Sequence, residues 1–123
     1  MRIIKPTRLR EYWTRYPQAR PSLEQWLIRT KAATWASIAD LRQTFPSADP
    51  VRVTSGRTVV VFNIAGNRYR LLTAIHYNMR KVFVLRFLTH AEYTRETMQS
   101  TPGKHGRTNY EPRAASSYDT REI

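Results

Sequence analysis

The chain has 123 residues, with 21 lysines and arginines against 9 aspartates and glutamates, a formal net charge of +12. That length suits one domain able to bury a core without staples, and the lack of cysteine excludes a disulfide framework or a thiolate metal site. Histidines scattered at 76, 90 and 105 have no metal-ligand spacing, no run approaches the roughly 18 apolar residues of a membrane span, and the N-terminus lacks a signal-peptide core. A cytoplasmic protein without a cofactor is expected.

A positive excess on so small a domain points to a polyanionic partner, nucleic acid before membrane. A lipid surface would want a basic amphipathic helix, whereas the helices here spend their apolar faces on a core. Met1–Ile4 is a short apolar candidate strand. Pro6 interrupts it, and Thr7 is placed to cap the first helix. Leu9, Tyr12, Trp13 and Tyr16 make the stripe of that amphipathic helix, which Pro17 stops. Ser22-Leu23-Glu24-Gln25 reads as a capping box opening a second helix, whose inner face is Leu23, Trp26, Leu27 and Thr30. Trp35 closes the core from one end. A third helix starts at Ser37, with Asp40 in its first turn, buries Ile38, Leu41 and Phe45, and ends at Pro46. At helical spacing Trp13 and Trp26 are packing residues rather than base-stacking platforms. Residues 46–50 (PSADP) form a turn, Val51–Val53 a brief strand, and Ser55-Gly56-Arg57 a turn into the first long strand.

Residues 58–93 organise the rest. Thr58–Ile64 is β-branched and aromatic, the composition of a strand. Gly66-Asn67 supplies the positive φ of a two-residue hairpin loop, pairing Asn63 with Arg70 and Val61 with Leu72. Alternation then sorts Val60, Phe62, Ile64, Tyr69, Leu71, Thr73 and Ile75 onto one face and Asn63, Arg68, Arg70 and His76 onto the other. The next turn, around Asn78-Met79-Arg80, leads to the strand Lys81–Thr89. An odd-numbered loop is expected there. It places Phe83, Leu85 and Phe87 in the core and Arg86 beside Arg70 and Leu72, because an unpaired buried guanidinium costs several kcal/mol, roughly. In that register His90 reaches the same open face and begins a short helix running to about Gln99. From Ser100 to Ile123 the chain is polar and aperiodic, with expected disorder. The domain is therefore 1–99, with a tail at 100–123, and the class is α+β, a small antiparallel or mixed sheet with N-terminal helices on one face.

FPSAD at 45–49, VVFNIAGNRYRL at 60–71 and VLRFLTHAEY at 84–93, in this order on a small basic chain, resemble the HigB family of bacterial type II toxins, within the RelE-like superfamily. The resemblance runs from the N-terminal RII to about Thr94. It implies a RelE-like sheet with helices on one face and a ribosome-dependent mRNA endonuclease (an mRNA interferase). It also implies neutralisation by a HigA-like helix-turn-helix antitoxin that usually binds operator DNA. The chain departs from the family at Thr94, where the motif continues with aspartate, and at Ala74, where similar sequences carry lysine. Its segment after about residue 99 is also longer than typical. These departures motivate the alternative of a noncatalytic RNA- or ribosome-binding protein.

RNA carries its own nucleophile, so cleavage needs a base for the 2′-OH, charge stabilisation at phosphorus, and an acid for the leaving 5′-oxygen. Two-metal nucleases need acidic ligands, and the nearby acids are Glu92 and Glu96; metal-independent chemistry is expected, leaving a 2′,3′-cyclic phosphate and a 5′-OH. His90 is the candidate general acid or base, since an imidazole ordinarily titrates near ~6.5. Arg70 and Arg86 are candidate clamps because a planar fork matches two phosphate oxygens. Tyr93 is suited to donate to the phosphate, stack on a base or carry a proton. Arg57, Arg68 and Lys81 would grip flanking backbone, with His76 on the same face. Structural roles compete for each: a satisfied histidine at 90, a buried Arg86 pair with Glu92 or Asp49, and a turn-bonding Asn63.

Overall fold

Strands β1 (Arg2–Ile4), β2 (Asp49–Arg52), β3 (Thr58–Ile64), β4 (Tyr69–His76) and β5 (Lys81–Thr89) form one mixed sheet in the order β1-β5-β4-β3-β2. Only the β1–β5 pair is parallel among these described strands. This computed structural model describes residues 1–53 and 55–100, without the side chains of 98–100. Apart from Ser100, the expected tail lies outside the described residues.

Helices α1 (Thr7–Arg15), α2 (Arg20–Ala32) and α3 (Ile38–Thr44) cover one face. Their apolar stripes are those of the sequence: Leu9, Leu23, Trp26, Thr30 and Leu41 are buried, and Trp26 and Phe45 each meet Phe62 edge-on. Tyr12 stacks on Phe87 at 5.1 Å between centroids. Trp35 is buried and donates its indole N–H to Thr44 Oγ1 at 3.0 Å. Two expected caps are not used. Pro6 rather than Thr7 occupies the α1 cap, and the first amides of the helix turn tightly onto the Lys5 and Pro6 carbonyls. A 3-10 turn, Pro17–Ala19, runs straight into α2 at Arg20, so Ser22 already lies inside the helix with no end to cap. At α3 the expected start holds: Ser37 Oγ accepts from the Asp40 amide, and Asp40 Oδ2 accepts from the Ala36 amide.

The β3–β4 hairpin has the expected register, Asn63 opposite Arg70 and Val61 opposite Leu72. Positive φ falls on Ala65 and Gly66 rather than on Gly66 and Asn67. The β4–β5 hairpin corrects the sequence reading. Its loop is even-numbered, with His76 opposite Lys81 and Ala74 opposite Phe83. A bulge then intervenes: Thr73 pairs with Val84 but Leu72 with Arg86, so Leu85 is the extra residue. Arg8 of α1 donates to the carbonyls of Val84 (2.9 Å) and Leu85 (3.2 Å), anchoring the bulge. The bulge, not an odd loop, keeps Arg86 off the helix-covered face and turns Phe87 into the core.

Before the bulge, Phe83 and Leu85 face the other way. They join Val51, Val53, Val59, Val61, Leu72, Ala74 and Leu88 in a second buried cluster, against which Ile4 and Tyr93 pack. The sheet therefore has no purely polar face. Apolar groups bury on both sides, as the near-continuous apolar runs of β3 to β5 require. Ala74, 7 % exposed opposite Phe83, is a packing residue of this second cluster.

Candidate functional site

The helix α4 (His90–Ser100) leaves β5 through a capping box. The Thr89 amide donates to Glu92 Oε1 (2.9 Å) while the Glu92 amide donates to Thr89 Oγ1 (3.1 Å). The His90 amide donates to the Arg68 carbonyl at 2.8 Å, tying the first turn to the start of β4. The segment Thr89-His90-Ala91-Glu92-Tyr93 is thus a helix start aimed by its own side chains. It leaves His90 exposed and sets Tyr93 over the sheet. The T-x-x-E spacing was the readable signal for Glu92, and sequence reasoning passed over it.

Arg70 is 9 % exposed and held on several sides. Its Nη1 donates to the carbonyls of Asn67 (3.2 Å) and Tyr69 (3.1 Å), and its Nη2 to Asn67 Oδ1 (2.6 Å). Its guanidinium carbon lies 5.9 Å from the centre of the Tyr93 ring, in cation–π range. Burial draws its pKa down and the neighbouring Tyr93 opposes that, yet a guanidinium stays charged at any physiological pH.

Arg86 sits on the expected side of the sheet, opposite Leu72, but its fork is occupied. Nη1 and Nη2 donate to the two carboxylate oxygens of Glu96 at 2.7 and 2.9 Å, with side-chain exposures of 16 % and 10 %. The bidentate partner is Glu96, further along α4, not Glu92 or Asp49. Arg68 is exposed and donates to Gln18 Oε1 at 2.9 Å.

The other expected phosphate-gripping residues lie elsewhere. His76 and Lys81 pair across the far end of β4 and β5, with Arg57 close enough to act on the His76 charge. Six residues of strand separate His76 from Arg70, about 20 Å. The basic groups read as one cluster are therefore two, and they do not meet on a single phosphate. His76 is half-buried, edge-on to Phe83. Burial first, then the charges of Arg57 and Lys81, hold its pKa below the ordinary histidine value.

Beside Arg70 opens a cleft of about 450 Å³. Arg42 of α3, Asp49 of β2, Asn63 of β3, Arg70 of β4, and Tyr93 and Thr97 of α4 line it. Arg42 and Asp49 were absent from the sequence-derived site because only the fold carries the α3–β2 turn to Arg70. A larger groove of about 1090 Å³ runs between α1 and α2, around Trp13 and Ile28, and holds none of these groups. No described helix is long and apolar enough to cross a membrane.

Comparison with models of known protein families matches residues 19–96 to HigB_toxin, a RelE-like toxic component of a toxin-antitoxin system. The matched span takes in β2 to β5, the cleft's lining residues other than Thr97, and α4 as far as Glu96. No curated protein matches the chain.

Proposed function

The chain belongs to the HigB toxin family, the RelE-like toxic components of toxin-antitoxin systems, and from that membership we propose that it is an endoribonuclease cutting mRNA on the ribosome. The observation carrying this reading is Arg70. A nearly buried guanidinium, oriented by Asn67 and the Tyr69 carbonyl and faced by Tyr93, opens onto a cleft, and His90 is exposed at the start of the helix that carries Tyr93. A preoriented cation next to a proton carrier is what transesterification at phosphorus needs.

In this mechanism the 2′-oxygen attacks the adjacent phosphorus, and the bond from phosphorus to the 5′-oxygen breaks. The 2′-proton leaves to a base, and the leaving 5′-oxygen gains a proton. A 2′,3′-cyclic phosphate and a 5′-OH result, with no external nucleophile. Arg70 stabilises the charge developing on the non-bridging oxygens. His90 carries one of the two protons, and Tyr93 donates to the phosphate or carries the other. Arg86 acts through α4, holding that helix over the sheet by its pair with Glu96. Arg68, and at the far end Arg57, Lys81 and His76, hold flanking RNA backbone or the ribosome. The toxin works in the cytoplasm, where translating ribosomes are. It is neutralised there by a HigA-like helix-turn-helix antitoxin, through which operator DNA is bound indirectly.

Induced expression in bacteria tests the reading. Growth arrest with primer-extension stops inside codons supports it, and continued growth from intact, soluble protein counts against it. A noncatalytic RNA- or ribosome-binding protein is the second reading, favoured by one observation: the Arg86 fork is already taken by Glu96. That protein would bind programmed ribosomes and leave their mRNA whole.

A further inference from the structure

We propose that Arg2, Lys81, His76 and Arg57 form a second RNA site, a row across the end of the sheet that holds the phosphate backbone of a single strand away from the scissile bond. This rests on the ribonuclease reading above and gives its far-end groups one arrangement and one ligand. Arg2 pairs with Lys81 between β1 and β5, and Lys81 with His76 between β5 and β4. Arg57 directly precedes β3, and its carbonyl accepts from the Val53 amide at 2.8 Å, so the β2–β3 ladder continues to it. By the β3–β4 register, in which Val60 faces Thr73, Arg57 falls opposite His76. Cross-strand partners share a face of the sheet. Here it is the face of the second cluster, since Ile4, Phe83, Ala74 and Val59 continue the same parities two residues along. Strands about 4.8 Å apart put the four positions on a line roughly 14 Å long, the rise of about four nucleotides in a stacked strand.

Like charges directly opposite one another destabilise a sheet, and no acid among the described residues sits in this row. Glu11, Glu24 and Asp40 lie on α1, α2 and α3, Glu92 and Glu96 on α4, and Asp49 at the other end of β2. Arg2 and Arg57 are exposed and Lys81 is half-buried. Burial, then the charges of Arg57 and Lys81, favour the neutral form of the His76 between them. The row therefore carries three fixed cations and one imidazole able to donate an N–H. A polyanion relieves that repulsion and releases its own counterions in doing so. Basic tracks of this kind hold single strands by the backbone, without reading sequence. About 20 Å of β4 separates His76 from Arg70, so the row and the scissile phosphate engage different nucleotides. Arg2 lies outside the span matched to the family, and β1 supplies this end of the row.

Titration of the full chain with a labelled 2′-O-methyl uridine 12-mer, which lacks the attacking 2′-OH and so stays whole, tests this at several salt concentrations. Each phosphate contact on a single strand adds about 0.7 to the fall of log K with log salt. Arg2→Gln, Arg57→Gln and Lys81→Gln should each lower that slope by about 0.7 and weaken binding about fivefold in about 0.1 M salt. The triple variant should lower the slope by about 2. Arg29→Gln, at an exposed position on α2, should change neither. The row variants should melt no lower than the parent, since each removes a like-charge opposition. No binding by the parent, an unchanged slope in the triple variant, an equal loss in Arg29→Gln, or a lower melting temperature in every row variant overturns the proposal. Ribosomes then separate the two sources of strand. Weaker binding of the triple variant to vacant ribosomes assigns ribosomal RNA, and weaker binding only to ribosomes carrying mRNA assigns the message. Undiminished binding to both overturns the site. A row that fails while the parent cuts mRNA leaves the nuclease reading standing. A row that binds in a chain that cuts no RNA upholds the site and removes the nuclease.

Discussion

Replacing Glu96 with glutamine keeps the shape of the α4 anchor and removes its charge, leaving the Arg86 guanidinium with no carboxylate on its fork. Both hydrogen bonds of the pair are short, 2.7 and 2.9 Å, and the side chains are only 16 % and 10 % exposed. Removing one partner of a fully buried pair costs about 3–5 kcal/mol; for this nearly buried pair we expect about 2–4 kcal/mol, because water reaches part of the stranded charge. In a domain of this size that lowers the melting temperature by roughly 10–20 °C, read by calorimetry or chemical denaturation. Arg86→Met alone should cost a similar amount. The double variant Arg86→Met/Glu96→Leu should recover most of the loss, since apolar replacements of a buried pair are often neutral. It should also recover cleavage, if Arg86 serves by holding α4. A Glu96→Gln protein as stable as its parent would refute the anchoring role. A double variant that is stable but inactive would return Arg86 to the phosphate.

Arg70→Ala or His90→Ala should abolish toxicity in a protein that still folds by circular dichroism. Asn67→Ala should leave Arg70 in place but loosely aimed, lowering the cleavage rate about tenfold or more, as small misplacements do. Arg8→Ala strips the donor from two bulge carbonyls and should cost about 1–2 kcal/mol in urea denaturation. The His76 pKa is lower folded than unfolded, so its neutral form favours the native state. The stability this contributes is present above the ordinary histidine pKa, near ~6.5, and is lost as pH falls through the folded value. His76→Gln should therefore show a shallower fall in melting temperature on the acid side of that pKa than the parent does. An identical slope would mean the imidazole is not desolvated.

The sequence carried the helices and the β3–β4 register because their signals are local. The Leu9-Tyr12-Trp13-Tyr16 stripe and the apolar alternation beside Gly66 need no distant partner. The β5 bulge was not legible, because VFVLRFL is apolar at both parities and an odd loop or a bulge moves Arg86 off the helix face equally well. Geometry chose the bulge, with Arg8 waiting on α1 to satisfy its carbonyls. The second apolar cluster is illegible for a related reason: Asn63, Arg68, Arg70 and His76 mark their face as open, although Leu72 and Ala74 lie between Arg70 and His76 and bury there. At the site, Arg70, His90 and Tyr93 were readable as chemistry within a resembling motif. The Glu96 hold on Arg86 was not, since pairing between a strand and the helix after it depends on where the helix lies.

Catalysis as proposed turns on a scissile phosphate held at Arg70 beside His90 and Tyr93. The most direct test incubates purified protein with mRNA on programmed ribosomes, with free RNA as control, and identifies the chemical ends of any fragments. We predict a 2′,3′-cyclic phosphate upstream and a 5′-OH downstream, formed by the parent and not by folded Arg70→Ala. Fragments bearing a 5′-phosphate, or cleavage undiminished in Arg70→Ala, would contradict it.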